Sequence, residues 1–269
     1  MSKKVSILMG IYNCAKTLPE AIDSILAQTY SRWELILCDD GSQDDTFQIA
    51  QQYRNKHPNQ IILLKNEKNV GLNKTLNRCL SQAEGDYIAR MDGDDLSLPD
   101  RIEKEVSFLD EHPEYAIVSM PMIYFDEHGE WGRGKATECP ETNDFIHGTP
   151  FCHAPCMVRA EAFRAVNGYS EDPRTLRAED YNLWFRLYAA GYKGYNLQEP
   201  LYKMRDDMNA CNRRKLRFCM NEAYVRFTGY RMLGLPISCY AYVLRPIIVG
   251  LLPKWVYLYL HHRKKSGKD

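Results

Sequence analysis

Gly85-Asp86-Tyr87-Ile88-Ala89-Arg90-Met91-Asp92-Gly93-Asp94-Asp95 runs from a turn through an apolar strand into an acidic cluster. The same plan occurs upstream, where Leu35-Ile36-Leu37-Cys38 leads to Asp39-Asp40-Gly41-Ser42, and Glu179-Asp180 opens a helix further on. Carboxylates crowded at one rim of an open α/β sheet repel one another unless something positive lies between them. A divalent metal carrying a phosphate-bearing substrate is the simplest such partner. Ligands of such sheets bind at the carboxyl ends of the strands, where these acids fall.

Outward from this stretch, strand-like and helix-like segments alternate. Val5 to Ile11, Leu35 to Cys38, Ile61 to Leu64, Asp86 to Met91 and Tyr115 to Met120 read as strands. Between them, Leu18, Ile22, Ile25 and Leu26 share one helical face, as do Leu72, Leu76 and Leu80, and Ile102, Val106 and Leu109. Thr17 and Glu20 have capping-box spacing, and Ser42 or Asp45 can cap the helix that carries Phe47 and Tyr53. The alternation predicts an α/β fold with a mainly parallel sheet flanked by helices. Residues 125–151, rich in Gly and Pro, read as an irregular substrate-facing loop. Short helices are expected at Glu161 to Val166 and Asp180 to Ala190, with Trp184 and Leu187 in the core.

The 269 residues balance 35 basic against 35 acidic side chains, but unevenly. From Lys203 onward there are 14 Lys and Arg against 4 Asp and Glu. An acidic body with a basic tail points to contact with anionic lipid rather than nucleic acid. After Arg213-Arg214-Lys215, a helix to about Arg231 is expected, then an aromatic and aliphatic stretch from Ile237 to Leu260 interrupted by Arg245-Pro246 and Pro253-Lys254. Its uninterrupted runs are too short for a span of about 20 residues. With the closing Arg263-Lys264-Lys265, they suggest helices lying in a membrane interface, the alternative being a helical pair packed on the domain itself. The expected division is a catalytic domain over residues 1–205 and a basic amphipathic helical tail over 206–269. Nine scattered cysteines and no signal sequence before Val5 favour a reducing cytosol. Cys152-His153-Ala154-Pro155-Cys156 lacks a second Cys/His pair, so zinc is not expected.

Five stretches, in order, resemble the motifs of the family 2 glycosyltransferases: Val5-Ser6-Ile7-Leu8-Met9-Gly10-Ile11-Tyr12-Asn13, the Asp39-Asp40-Gly41-Ser42 turn, Asn69-Val70-Gly71-Leu72-Asn73-Lys74, the Gly85 to Asp95 run, and Glu179-Asp180-Tyr181-Asn182-Leu183-Trp184. The likeness covers about residues 5–205. Asn196 to Lys203 and the tail more narrowly resemble bacterial exopolysaccharide transferases. The resemblance implies the Rossmann-like GT-A fold and inverting transfer from a nucleotide-sugar, here a UDP-sugar. It places Ile11 and Tyr12 at the base, with Asp40 accepting from the uracil ring or ribose. Asp92 and Asp94 become the family's DxD, with Asp94 as ligand of Mn²⁺ or Mg²⁺, Asp92 on the metal or ribose, and Asp95 supporting.

Such a metal bridges carboxylates to a diphosphate that they could not hold directly. Asp180 becomes the general base, which must lie within about 3 Å of the acceptor hydroxyl. A helix N-terminus is expected to keep it ionised. Lys74 and Arg205 are candidate diphosphate contacts, with Lys203 close by. His153 serves the acceptor side or the core. The acceptor implied is a saccharide, lipid-linked, met at the inner face of the cell membrane. One sugar per acceptor is expected, because the Gln-x-x-Arg-Trp motif of processive synthases is missing.

Taken singly, each motif has a plainer reading. Asp39 to Ser42 can be a turn and cap, Glu179 and Asp180 can simply favour a helix start, and the basic residues can be solvated. The chain could also be an idle interaction module that keeps the fold. Degenerate chains usually lose an acid from the DxD or the base, and this one keeps both. A nucleotidyltransferase shares the nucleotide-metal logic, but Glu179-Asp180 at this distance disfavours it.

Overall fold

A computed structural model describes residues 2–206 and 215–252. In chain order the elements are β1 (Val5–Ile11), α1 (Leu18–Leu26), β2 (Trp33–Asp39), α2 (Thr46–Lys56), β3 (Ile61–Lys65), α3 (Leu72–Leu80), β4 (Tyr87–Arg90), β5 (Leu96–Ser97), α4 (Arg101–Glu111), β6 (Ile117–Ser119), β7 (Ile123–Asp126), β8 (Gly129–Arg133), β9 (Met157–Arg159), α5 (Ala160–Ala165), α6 (Glu179–Ala189), β10 (Gly194–Asn196), β11 (Tyr202–Arg205), α7 (Leu216–Met232) and α8 (Arg245–Leu251). Segments of 3₁₀ helix span Thr142–Ile146, Pro173–Thr175 and Ile237–Leu244.

The main sheet has the order β10-β6-β9-β4-β1-β2-β3. Both faces are covered, and β1 and β2 are buried almost throughout, which explains their near-continuous apolar runs. The exceptions are paired: buried Ser6 donates to Glu34 at 2.6 Å, and Lys4 closes on Glu34 at 2.7 Å. The main sheet is mainly parallel, as expected, and is made mixed by one strand: β9 pairs antiparallel with both β4 and β6. Residues 125–151 are also more regular than expected. Tyr124 and Trp131 stack at 5.4 Å across the β7–β8 hairpin, and Thr142–Ile146 forms a capped turn. That hairpin joins β5 and β11 in a second, four-stranded sheet.

Two expected caps form differently. Thr17 stands at the N-cap of α1, but its hydroxyl donates to Gly93 O at 3.0 Å, and Glu20 pairs with Arg205. At α2, Asp44 rather than Ser42 or Asp45 accepts from Thr46 N.

The first described helix after residue 206 is built into the domain. Val225 and Tyr230 of α7 are fully buried in the core that holds Leu183, Trp184 and Phe185 of α6. Arg226 donates to Ile146 O at 2.9 Å, pairs with Glu222 and lies over the Tyr181 ring. Gly229 lies against the face of Phe185. Beyond it, Tyr240 and Val243 pack on the same core, whereas Ile237, Leu244, Ile248 and Leu251 are exposed. No helix among the described residues is long and apolar enough to cross a membrane. Arg213-Arg214, Pro253-Lys254 and Arg263-Lys264-Lys265 lie outside the described residues.

A Cβ at position 229 would come within 2.3 Å of the Phe185 ring. Gly229→Ala should therefore cost about 1–3 kcal/mol of the stability of the whole domain through overpacking. Thermal melting read by near-UV circular dichroism checks this; an unchanged transition would mean that α7 is not part of the folded unit.

Candidate active site

The acids stand where a parallel sheet presents its ligands. β2 ends at Asp39, whose Oδ2 accepts from Ser42 N, and Asp40 begins the turn to α2. Gly41 takes a φ of 73°, and a Cβ there would meet the backbone of Lys68 and Asn69 at 2.7–2.8 Å. Only glycine permits both the turn and this close approach. The approach lets Asp40 grip the next loop: its carboxylate accepts from Val70 N, Gly71 N and Asn66 Nδ2, all at 2.8–2.9 Å. The outcome is a cavity of about 320 Å³ lined by Ile11, Tyr12, Asp40, Leu72, Arg177 and Glu179, among others. Tyr12 is exposed, offering a ring face at the mouth.

The second cluster follows β4. Ligand atoms of Asp92, Asp94 and Asp95 lie within 4.8 Å of one another. Asp95 is buried and committed: Oδ1 accepts from Arg205 N at 2.8 Å and Oδ2 from the Tyr202 hydroxyl at 2.9 Å. Burial and the neighbouring Asp92 and Asp94 charges hold its carboxyl well above the usual range. Asp92 and Asp94 are the more open pair. Hard carboxylate oxygens at this spacing suit Mg²⁺ or Mn²⁺ rather than a soft metal, so the residues fit the expected ion. Gly93, between them, lies against Ile11 and Cys14, so one connection supports both the cavity and the acidic turn.

Arg90 lies beneath this turn, in a strand otherwise apolar on its exit side. Its Nη2 closes on Asp92 at 2.5 Å, and its buried Nε has no partner among the described residues. Its charge also reaches Asp180 and His153. Arg101, fully buried, donates to Arg90 O at 2.8 Å and pairs with Glu105. β11 straps the turn from outside: Arg205 donates to Asp94 O at 3.0 Å, pairs with Glu20 and lies 4.6 Å from the Phe125 ring centre. Lys203 pairs with Glu130.

Asp180, in the first turn of α6, is half-buried, and its carboxyl is pushed up to about 7 by burial and by Glu179. The Tyr181 N–H and Arg90 pull the other way but do not win. Desolvation thus outweighs the helix terminus that was expected to keep it ionised. His153 bonds the Tyr169 hydroxyl at 2.9 Å, and burial and Arg90 keep it neutral. Trp184 and Leu187 are core residues.

Ile11, Tyr12 and Asp40 are therefore gathered in one cavity, and Asp92, Asp94 and Arg205 in the adjoining turn. Lys74 is exposed on α3, outside the cavity lining. Arg90, Tyr202 and Arg177 were not singled out from sequence, although a lone cation inside an apolar strand was a readable signal for Arg90. A larger recess of about 430 Å³, lined by Tyr115, Tyr188 and Tyr192, sits by the starts of β6 and β10, away from the acidic rim.

Residues 6–166 match the family described as glycosyl transferase family 2, and residues 87–262 match glycosyl transferase family group 2. The chain belongs to the family 2 glycosyltransferases, and it is a transferase. It is 47% identical over 262 residues to the protein named glycosyltransferase EpsE of Bacillus subtilis (strain 168), covering 97% of this chain and 94% of that one. It is 33% identical over 218 residues to the amylovoran biosynthesis glycosyltransferase AmsE of Erwinia amylovora, covering 78% and 79%. It is 29% identical over 213 residues to WfaP of Escherichia coli, covering 78% and 81%; that enzyme is a UDP-Glc:α-D-GlcNAc-diphosphoundecaprenol β-1,3-glucosyltransferase. Among solved structures, S. aureus TarS 1-349 with UDP-GlcNAc superposes with a TM-score of 0.69 at 20% identity, covering 98% and 74% of the two chains. The mannosyltransferase PcManGT of Pyrobaculum calidifontis with GDP-Man and Mn²⁺ gives 0.66 at 17%, covering 97% and 80%. These two show a shared GT-A-like α/β fold.

An acid whose folded value lies above its unfolded value of about 4 loses stability as pH rises between the two. Replacing Asp180 by Asn removes that loss. The melting temperature of Asp180→Asn should exceed wild type near pH 8, and the gain should vanish as pH falls to about 4. Equal melting at both pH values would mean that the carboxyl is not raised.

Proposed function

We propose that this glycosyltransferase moves one sugar, with inversion, from a UDP-sugar to a hydroxyl of a lipid-linked saccharide during exopolysaccharide or other cell-surface polysaccharide assembly. The observation that carries the reading is the joint support of two half-sites on one connection. Ile11 and Cys14 hold the Asp92-Gly93-Asp94 turn on one side, while Ile11 and Tyr12 wall the cavity on the other. A nucleotide seated in the cavity would extend its phosphates toward that turn.

In this reading Tyr12 supplies an aromatic face to the base. Asp40 fixes the 69–71 loop and keeps one Oδ2 lone pair for the uracil or ribose. Asp94 and Asp92 hold the divalent ion, which when bound offsets the charge of the departing diphosphate. Arg90 fixes the Asp92 carboxylate, and Tyr202 and Arg205 fix Asp95 beneath it. Asp180 takes the proton from the acceptor hydroxyl as the new bond forms. A carboxyl raised to about 7 is a stronger base than a surface aspartate and remains substantially ionised near neutrality. The Mn²⁺ in PcManGT and the UDP-GlcNAc in TarS accord with the metal and the donor class. The diphosphoundecaprenol acceptor in the name of WfaP accords with a lipid-linked one. Exposed Ile237, Leu244, Ile248 and Leu251, beside Arg245, would rest on the inner face of the cell membrane.

Nucleotide release from a panel of UDP-, GDP- and dTDP-sugars, with Mn²⁺ or Mg²⁺ and a membrane-lipid acceptor extract, tests the reading. One donor should turn over in wild type and lose at least about a hundredfold in rate in Asp94→Ala. Below about pH 7 the wild-type rate should fall about tenfold per unit as Asp180 is protonated. Asp180→Asn should bind nucleotide like wild type yet not transfer. Equal loss of binding and transfer in Asp180→Asn would remove the base from this account.

A further inference from the structure

The loop leading into Asp180 contains a left-handed backbone position at Arg177. Thr175 O accepts from Ala178 N at 2.9 Å, closing a four-residue turn. Its central residues are Leu176, at φ −59° and ψ 126°, and Arg177, at φ 69°. The Leu176 angles and the positive φ of Arg177 are those of a type II turn, whose second central position ordinarily holds glycine or asparagine. Among the described residues the other left-handed non-glycines are both asparagines, Asn13 and Asn167. Arginine gains nothing locally from this conformation, and strained residues of this kind persist where the surroundings impose them for a function. The surroundings are firm: Asn221 of α7 donates to Leu176 O at 2.9 Å and to Pro173 O at 3.3 Å, and Arg174 lies over the Tyr224 ring at 4.3 Å.

The strained residue faces the donor cavity. Arg177 lines it together with Tyr12, Asp40 and Glu179, and is the one cation among the described lining residues. Arg177 is exposed, and its guanidinium lies over the Phe218 ring at 5.9 Å from the ring centre. The acids nearby would repel a nucleoside diphosphate, and a divalent ion at Asp92 and Asp94 balances only part of its charge. Lys74 does not line this cavity.

We infer that Arg177 is a donor-binding residue that holds the diphosphate of the nucleotide-sugar, and that α7 fixes its turn in the left-handed form for that purpose. A planar guanidinium suits phosphate oxygens better than an ammonium. The inference rests on the donor-site reading above and extends it to a residue outside the family-like motifs. It also gives the helix after residue 206 a part in donor binding through Asn221.

The test is the affinity of UDP, with GDP and dTDP in parallel, measured by isothermal titration with Mn²⁺ for wild type, Arg177→Gly and Arg177→Lys, and of uridine for the same proteins. Wild type must bind one diphosphate; failure there defeats the donor-site reading itself, before any variant is compared. Given that binding, Arg177→Gly should weaken the diphosphate roughly 10- to 100-fold, as expected for loss of a charged hydrogen bond, and leave uridine unchanged. Arg177→Lys should fall between. Arg177→Gly should melt at or above the wild-type temperature, because glycine relieves the strain. Unchanged diphosphate affinity, equal losses for diphosphate and uridine, or a lower melting temperature for Arg177→Gly would each overturn the inference.

Discussion

The ion pair between Arg90 and Asp92, closed at 2.5 Å beneath a rim of carboxylates, is the contact on which the site depends. Asp92, Asp94 and Asp95, with ligand atoms within 4.8 Å of one another, repel each other and need a cation nearby to be held so close. The Arg90 guanidinium is almost fully buried, so it acts in a medium that screens it little. Removing Asp92 would leave the Arg90 charge buried without its partner, a loss of up to roughly 3–5 kcal/mol, whereas Asp92 itself is partly open to solvent. Arg101 fixes the Arg90 carbonyl, and Glu105 balances Arg101, so the cation is anchored by a second buried pair. Glu105 nonetheless has its carboxyl pushed up to about 7 by burial, a sign of how costly charge is at this depth.

From that pair, order spreads in two directions. β11 locks Asp95 with Tyr202 and the Arg205 backbone, leaving Asp92 and Asp94 to face outward. α7 docks on α6 and on the loop before Asp180, holding the start of the helix that carries the acid. A segment with the composition of a basic tail thus begins as part of the scaffold. It turns apolar side chains outward along α7 itself, at Leu216, Met220, Phe227 and Met232, and again at Ile237, Leu244, Ile248 and Leu251.

Much of the fold was legible because parallel strands buried on both faces must be apolar runs; Val5–Ile11 is found with the expected bounds. β9 was not legible, since three residues carry no period and its antiparallel place is set by neighbours on both sides. The β7–β8 hairpin was hidden by Gly129, Gly132 and Gly134, which read as breakers, while its cross-strand partner Tyr124 lies outside the glycine-rich stretch. In the site, residue types at strand ends indicated the acids. They could not indicate that Asp40 accepts three hydrogen bonds from Asn66 and the 69–71 loop, that Lys74 lies outside the cavity lining, or that desolvation lifts Asp180 above the effect of its helix terminus. Each of these outcomes is decided by contacts distant in sequence.

The central claim is that Asp180 acts as a base for direct displacement at a sugar held by the opposite rim. The anomeric configuration of the product tests it most directly. With an α-linked nucleotide-sugar as donor, proton NMR of the isolated product should show a β-linkage in wild type. An α-linked product would mean that the sugar is transferred with retention, which direct attack assisted by Asp180 cannot give.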